Sequence, residues 1–279
     1  MSREENKEIF QDTEKLCKIN PLLIQAWKSS SKLQKLILEN EAVAFEKQIY
    51  QKSANVIVSK KRTFEASMEY EGKNVAVLNF ASASNPGGGV VNGSSAQEES
   101  LCRCSTLYYN LTEDFMWKNF YIPHRRAANP IHNDDLIYTP NVVIFKSDTN
   151  YPRLLPENKW KKVNVITCAA PNLRERPSNA FNSGDGNSAA KISDDELEQI
   201  HIKRGRKILE TAAANKNEVV ILGAFGCGAF MNNPEVVARA YKKLIEEFKY
   251  TFETIEFAIY CSPRDDSNFR IFNVIMNGK

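Results

Sequence analysis

Five short runs of apolar and β-branched residues punctuate the chain: Val75–Phe80, Val142–Phe145, Val163–Ala169, Val219–Leu222 and Ile255–Tyr260. Near-continuous apolarity over so few residues suits strands covered on both faces. The segments between them read as helices. Val236, Ala240, Leu244 and Phe248 recur every four residues, with Val237, Tyr241 and Ile245 beside them, which is the stripe of a core-facing helix. Asp194–Asn215, Ser100–Leu111 and Asn268–Met276 are further helical candidates, the first with Asp194, Asp195 and Glu196 suited to its N-terminus. Alternating strands and helices imply an α/β fold, a mixed or largely parallel sheet between two helical layers. Residues 51–279 read as one structural unit, with no second core and no internal repeat. Residues 1–50, rich in Lys, Glu, Gln and Leu and without a strand signal, read as an N-terminal helical extension. A strand-like pair is expected at Ala54–Ser59 and Phe64–Tyr70.

Charge and cysteine usage narrow the class. A net charge of +3 over 279 residues gives no basic face for a nucleic acid, so direct nucleic-acid binding is not expected. Six cysteines and three histidines are scattered without zinc-ligand spacing, so no metal site is expected, and unpaired thiols suit a reducing compartment. Met1–Glu8 is charged and lacks the apolar stretch of a signal peptide, and no run approaches membrane-spanning length. A cytoplasmic monomer is the expectation, or a nuclear one for a eukaryotic source.

Two glycine-rich loops each follow a strand. The first, Asn79–Gly89, ends in Gly87, Gly88 and Gly89; the second runs Gly223–Phe230. Three successive glycines permit close backbone approach and let N–H groups turn toward an anion, although a plain turn is the alternative. In the second loop Phe225 and Phe230 alternate with glycines, as aromatic walls beside backbone donors or simply as core. Neither loop is a P-loop, since no Gly-Lys-Ser/Thr follows. Gln97-Glu98-Glu99 then opens a helix after the triple glycine. A carboxylate beside a phosphate site has its pKa raised by the ligand's charge and can hold a proton near neutral pH. Cleavage of a glycosidic bond needs such an acid. Residues 171–191 carry almost no apolar pattern and read equally as a lid or as disorder.

The run Val77–Arg103 resembles the bacterial-type poly(ADP-ribose) glycohydrolases, whose signature is a triple glycine, six to eight residues, then Gln-Glu-Glu. The resemblance extends to Thr139–Phe145, Val165–Asn172, Leu222–Pro234 and Phe257–Tyr260, about residues 60 to 265 in all. It implies a macrodomain-like three-layer α/β/α sandwich that binds ADP-ribose and hydrolyses the ribose–ribose bonds of poly(ADP-ribose) on modified proteins, without a cofactor. Carried over residue by residue, Glu99 is the acid–base and Glu98 holds ribose hydroxyls. Asn85, Gly87, Gly88, Gly89 and Gln97 fall along the distal ribose and diphosphate. Gly226, Cys227, Gly228 and Ala229 offer amides to the diphosphate, with Phe225 and Phe230 as the aromatics and Phe230 bracing the ribose. Phe269 or Phe272 is a candidate for stacking on adenine. Phe225 stands where tryptophan is usual, and Met231 replaces a commonly basic residue. Two alternatives keep the fold: a hydrolase of single ADP-ribose units on proteins, and a non-catalytic ADP-ribose reader.

Overall fold

A computed structural model describes residues 1–179 and 183–278. Helices α1 (Arg3–Ile19) and α2 (Pro21–Leu33) lead into strand β1 (Lys35–Ile37). Then come β2 (Asn55–Ser59), α3 (Thr63–Ser67), β3 (Val75–Phe80), α4 (Gln97–Cys104) and α5 (Leu107–Leu111). A short α6 (Asp114–Met116) runs through a π-helical turn, Trp117–Tyr121, into α7 (Ile122–Ala127). The remainder is β4 (Leu136–Ile144), β5 (Lys161–Cys168), α8 (Asp194–Ala214), β6 (Val219–Leu222), α9 (Pro234–Phe248), β7 (Thr254–Ala258) and α10 (Ser267–Asn277).

Seven strands form one mixed sheet in the order β1-β4-β5-β3-β6-β7-β2. Strands β5, β3, β6, β7 and β2 are parallel, while β4 runs antiparallel to β5 and β1 to β4. Alternation along the central strands feeds two cores. Ala76 and Leu78 of β3, with Val220 and Leu222 of β6, pack against Ile208 and Leu209 of α8, Val237 and Tyr241 of α9 and Phe272 of α10. Val75, Val77, Val219 and Ile221 point the other way, toward Phe10 of α1, Phe64 of α3, Leu101 of α4 and Leu107 of α5. A helical layer on each face makes the three-layer α/β/α arrangement expected from the strand pattern.

Four details differ from the sequence reading. Lys35–Ile37, inside the stretch expected to be wholly helical, pairs with Leu136–Tyr138 at the sheet edge. Phe64–Tyr70 is not a strand. The Glu65 carboxylate turns back to accept from the Arg62 N–H at 3.0 Å, Asp148 accepts from the Phe64 N–H at 3.0 Å, and Phe64 drops into the core as part of α3. The expected helix Ser100–Leu111 breaks at Ser105, whose hydroxyl donates to the Leu101 carbonyl and accepts from the Leu107 N–H. Strand β4 starts six residues earlier than its apolar run, because a bulge between Thr139 and Val142, with Asn141 at φ 57°, interrupts the pattern.

Candidate active site

The site originates in a gap between two parallel strands. β3 pairs with β5 as far as Phe80, but with β6 only as far as Val77. The chain leaves β3 for one side of the sheet and returns through β6 on the other, so their carboxyl ends splay at a topological switch point. This strands the Leu78 carbonyl and the Phe80 N–H on the open side. Gln97 fills the gap: its Nε2 donates to the Leu78 carbonyl at 2.7 Å, and its Oε1 accepts from the Phe80 N–H at 2.9 Å. Nε2 also donates to Thr63 Oγ1 at 3.0 Å. Gln97 thus replaces a missing strand partner and fixes the first turn of α4 at the mouth of the crevice. We expect Gln97→Ala to orphan both backbone groups, lowering stability by about 1–3 kcal/mol and reducing kcat, measured by chemical denaturation and steady-state turnover.

With Gln97 fixed, Glu98 and Glu99 enter the crevice, 2% and 7% exposed. Glu98 Oε1 accepts from Asn79 Nδ2 at 3.2 Å and its Oε2 from the Ser82 N–H at 2.8 Å. Glu99 Oε1 accepts from the Gly89 N–H at 2.9 Å, and its Oε2 is buried with no partner. Burial pushes both carboxyls above the ordinary glutamate range, and two such adjacent charges favour a proton held between them. The Gly89 N–H and the Arg103 guanidinium oppose the rise at Glu99. The two titrate as a pair. Of their four oxygens, only Glu99 Oε2 has no hydrogen-bond partner among the described residues.

Around this pair lies a cleft of about 670 Å³, the size range of a small-molecule site. Gly88, Gly89, Gln97, Glu98, Glu99, Gly226, Gly228, Ala229 and Phe230 line it. Gly88 at φ 58° lies so close to the pair that a Cβ there would sit 2.6 Å from Glu99 Oε1. Gly226 at φ 80° is pressed against Ala170 and Asn232, whose amide in turn donates to the Pro171 and Phe230 carbonyls.

Four expected contacts are placed differently. Phe225 also borders the cleft but is fully buried, packed on Phe80 and His201 at ring separations of 5.5 and 5.7 Å, so it is core, while Phe230 is a half-buried aromatic in the cleft wall. Gly87 turns toward Tyr108 and Cys102 behind the loop. The Cys227 N–H, expected to face a diphosphate, donates to the Ala224 carbonyl at 3.1 Å, and its thiol packs into the core. The Asn85 amide donates to the Ser183 carbonyl at 2.7 Å and accepts from Arg125 Nη1 at 2.9 Å, which ties it to neighbouring loops. Of the adenine candidates, Phe272 is buried against Phe257, and Lys60 covers the Phe269 ring at 4.7 Å.

Residues outside the expected ligand-binding set complete the walls. Arg62 stacks on the exposed ring of Tyr260 at 3.9 Å, and both line the cleft. Arg174 lies 5.5 Å over Phe230 and lines it too, as does Asn179. Both belong to the stretch 171–191, whose described part is anchored. Asp185, 1% exposed, accepts from Ser84 Oγ at 2.7 Å and from Asn172 Nδ2 at 2.8 Å. Residues 180–182 of that stretch, to which the lid-or-disorder reading also applied, lie outside the described residues. Among the described residues no cluster of His, Cys, Asp and Glu could hold a metal ion, and no helix is long and apolar enough to cross a membrane.

A mixed sheet in a three-layer sandwich, with glycine loops at the carboxyl ends of β3 and β6 and a buried carboxyl pair between them, defines a macrodomain-like protein. The microbial-type PARG catalytic-domain family matches the chain over residues 5–147. The chain belongs to that family. The crystal structure of poly(ADP-ribose) glycohydrolase from Thermomonospora curvata is similar throughout, with 26% identity, 98% of this chain and 99% of that chain covered, and a TM-score of 0.84. The same enzyme bound to the inhibitor ADP-HPD gives 26% identity, 96% and 98% coverage and a TM-score of 0.79. The Deinococcus radiodurans poly(ADP-ribose) glycohydrolase in complex with ADP-ribose is 31% identical over 90% of this chain and 97% of its own, with a TM-score of 0.74. No curated protein matches significantly.

Proposed function

We propose that this chain is a poly(ADP-ribose) glycohydrolase, hydrolysing ribose–ribose O-glycosidic bonds in ADP-ribose polymers carried by modified proteins. The observation that carries the reading is the buried Glu99 carboxyl, whose Oε1 lies against Gly88 and the Gly89 N–H while its Oε2 has no partner among the described residues. A protein that only reads ADP-ribose has no use for an acid held in this way.

In the proposed reaction the diphosphate lies along Gly226, Gly228 and Ala229, and Phe230 braces the distal ribose. Glu98 accepts from ribose hydroxyls. Glu99 passes its proton to the 2′-oxygen of the departing adenosine as the bond from the distal ribose C1″ to that oxygen breaks. The ionised Glu99 then takes a proton from water, whose oxygen bonds to C1″, and ADP-ribose is released with the acid restored. Because Glu99 must start protonated, kcat/KM should fall as pH rises through its raised pKa. A pH–rate profile checks this, and a profile flat from pH 5 to 9 would exclude Glu99 as the acid.

Incubation with labelled poly(ADP-ribose), followed by product sizing, tests the activity itself, with ADP-ribose as the expected product. Release only from mono-ADP-ribosylated protein would instead favour the single-unit hydrolase, and tight ADP-ribose binding without any cleavage the reader. We place the enzyme in the cytoplasm, a reading supported by six free cysteines, and expect it to be a monomer.

A further inference from the structure

The second glycine loop owes its shape to a buried side chain behind it. Asn232 is 2% exposed, and both polar atoms of its amide are used. Nδ2 donates to the Pro171 carbonyl at 2.7 Å and to the Phe230 carbonyl at 3.1 Å. The Asn232 backbone N–H donates to the Gly226 carbonyl at 3.0 Å. One residue thus holds a carbonyl at each end of the loop together with the chain leaving β5. Within the loop, the Cys227 and Met231 N–H groups go to the Ala224 and Gly228 carbonyls, each at 3.1 Å. Gly228, Ala229 and Phe230 line the cleft, and their N–H groups have no hydrogen-bond partner among the described residues. Successive N–H groups left over in this way make a concavity for an anion.

The orientation of Asn232 is set from α8. With Nδ2 committed to two carbonyls, Oδ1 is the atom that faces His201, whose Nε2 lies 2.7 Å away. An amide oxygen only accepts, so Nε2 carries the hydrogen and Nδ1 is bare. Burial pushes the His201 pKa down to about 4, which keeps the ring neutral and in this one tautomer at neutral pH. Nδ1 is buried without a partner among the described residues, a position that suits a bare nitrogen better than a protonated one. The same ring meets Phe225 edge-on at 5.7 Å. Neither His201 nor Asn232 is among the residues that line the cleft.

We infer that Asn232, oriented by the His201 Nε2–H, is a positioning residue that turns the N–H groups of Gly228, Ala229 and Phe230 toward the diphosphate of ADP-ribose. The inference rests on the ADP-ribose part of the glycohydrolase reading. Glu98 and Glu99 follow the other glycine loop, so a defect here falls on binding and not on proton transfer. Such a defect weakens bound substrate and transition state alike, which raises KM and leaves kcat in place.

Asn232→Ala is expected to weaken ADP-ribose binding about ten-fold by calorimetry. Its KM on poly(ADP-ribose) should rise by a similar factor, with kcat within about two-fold. His201→Leu and His201→Gln form the second test, and they decide the matter if Asn232→Ala does not fold. Leucine removes the donor and should cost about five-fold in affinity. The glutamine amide can still donate to Asn232 Oδ1 and should recover most of that loss. A residue serving stability alone would lower Tm and the folded fraction while the folded protein kept its affinity. Parental affinity in Asn232→Ala or His201→Leu, a fall in kcat at unchanged KM, or equal affinities in the leucine and glutamine variants would overturn the inference. If the parent protein binds ADP-ribose but does not cleave the polymer, the glycohydrolase reading fails, and the calorimetric comparison alone decides the inference. If the parent binds no ADP-ribose, both fall.

Discussion

Glu99→Gln should lower turnover of poly(ADP-ribose) by about 10³-fold while leaving ADP-ribose affinity within about three-fold. The amide preserves the shape of the side chain, and its oxygen can still accept from the Gly89 N–H, as Glu99 Oε1 does. The change falls on the other terminal atom. Glu99 Oε2 has no partner among the described residues, so replacing it by NH2 breaks no hydrogen bond seen there and leaves stability nearly unchanged. The group can no longer release a proton to a departing oxygen or take one from water. Glu98→Gln is the informative contrast. Both Glu98 oxygens accept from N–H donors, Asn79 Nδ2 and the Ser82 N–H, and an amide has one acceptor atom instead of two. That variant should lose stability as well as rate. Near-normal turnover by Glu99→Gln in single-turnover assays on labelled polymer would remove Glu99 from the mechanism.

The parts of this site that sequence exposed are those whose physics is local. A buried parallel strand must be apolar on both faces, so β3 and β6 stand out, and glycines at their carboxyl ends stand out beside them. The Glu pair gains its meaning from distance along the chain to those glycines. What stayed hidden depends on where separate segments meet. Gln97 reads as a ligand contact beside two glutamates, yet its amide binds the backbone of β3, because β6 leaves that strand after Val77. Nothing near Gln97 in sequence encodes that splay. Asn85, Gly87 and Cys227 lie in the right loops, but their side chains or Cβ directions turn toward Arg125, Tyr108 and the core. The Arg62–Tyr260 pair joins the ends of β2 and β7, which are neighbours in the sheet and far apart in the chain. Strand β1 is three residues long, too short for a period-two pattern to separate from the helix before it.

Gly88→Ala should lower kcat by about 10²-fold at a stability cost of only about 1–2 kcal/mol. Two separate penalties are involved. The first is conformational: at φ 58° an alanine pays for left-handed backbone wherever it occurs. The second is particular to this position, because the new Cβ would lie 2.6 Å from Glu99 Oε1 and 3.1 Å from Glu98 Oε2. Either the glycine loop or Glu99 must move, and a displacement near 1 Å separates the acid from its target oxygen. Gly72 isolates the first penalty. It has φ 71°, and a Cβ there would meet nothing within 4 Å. Gly72→Ala should therefore show a comparable loss of thermal stability with full activity. If both variants lose activity alike, the defect is general destabilisation. If Gly88→Ala remains active, the close approach of the triple glycine to Glu99 does not set the position of the acid.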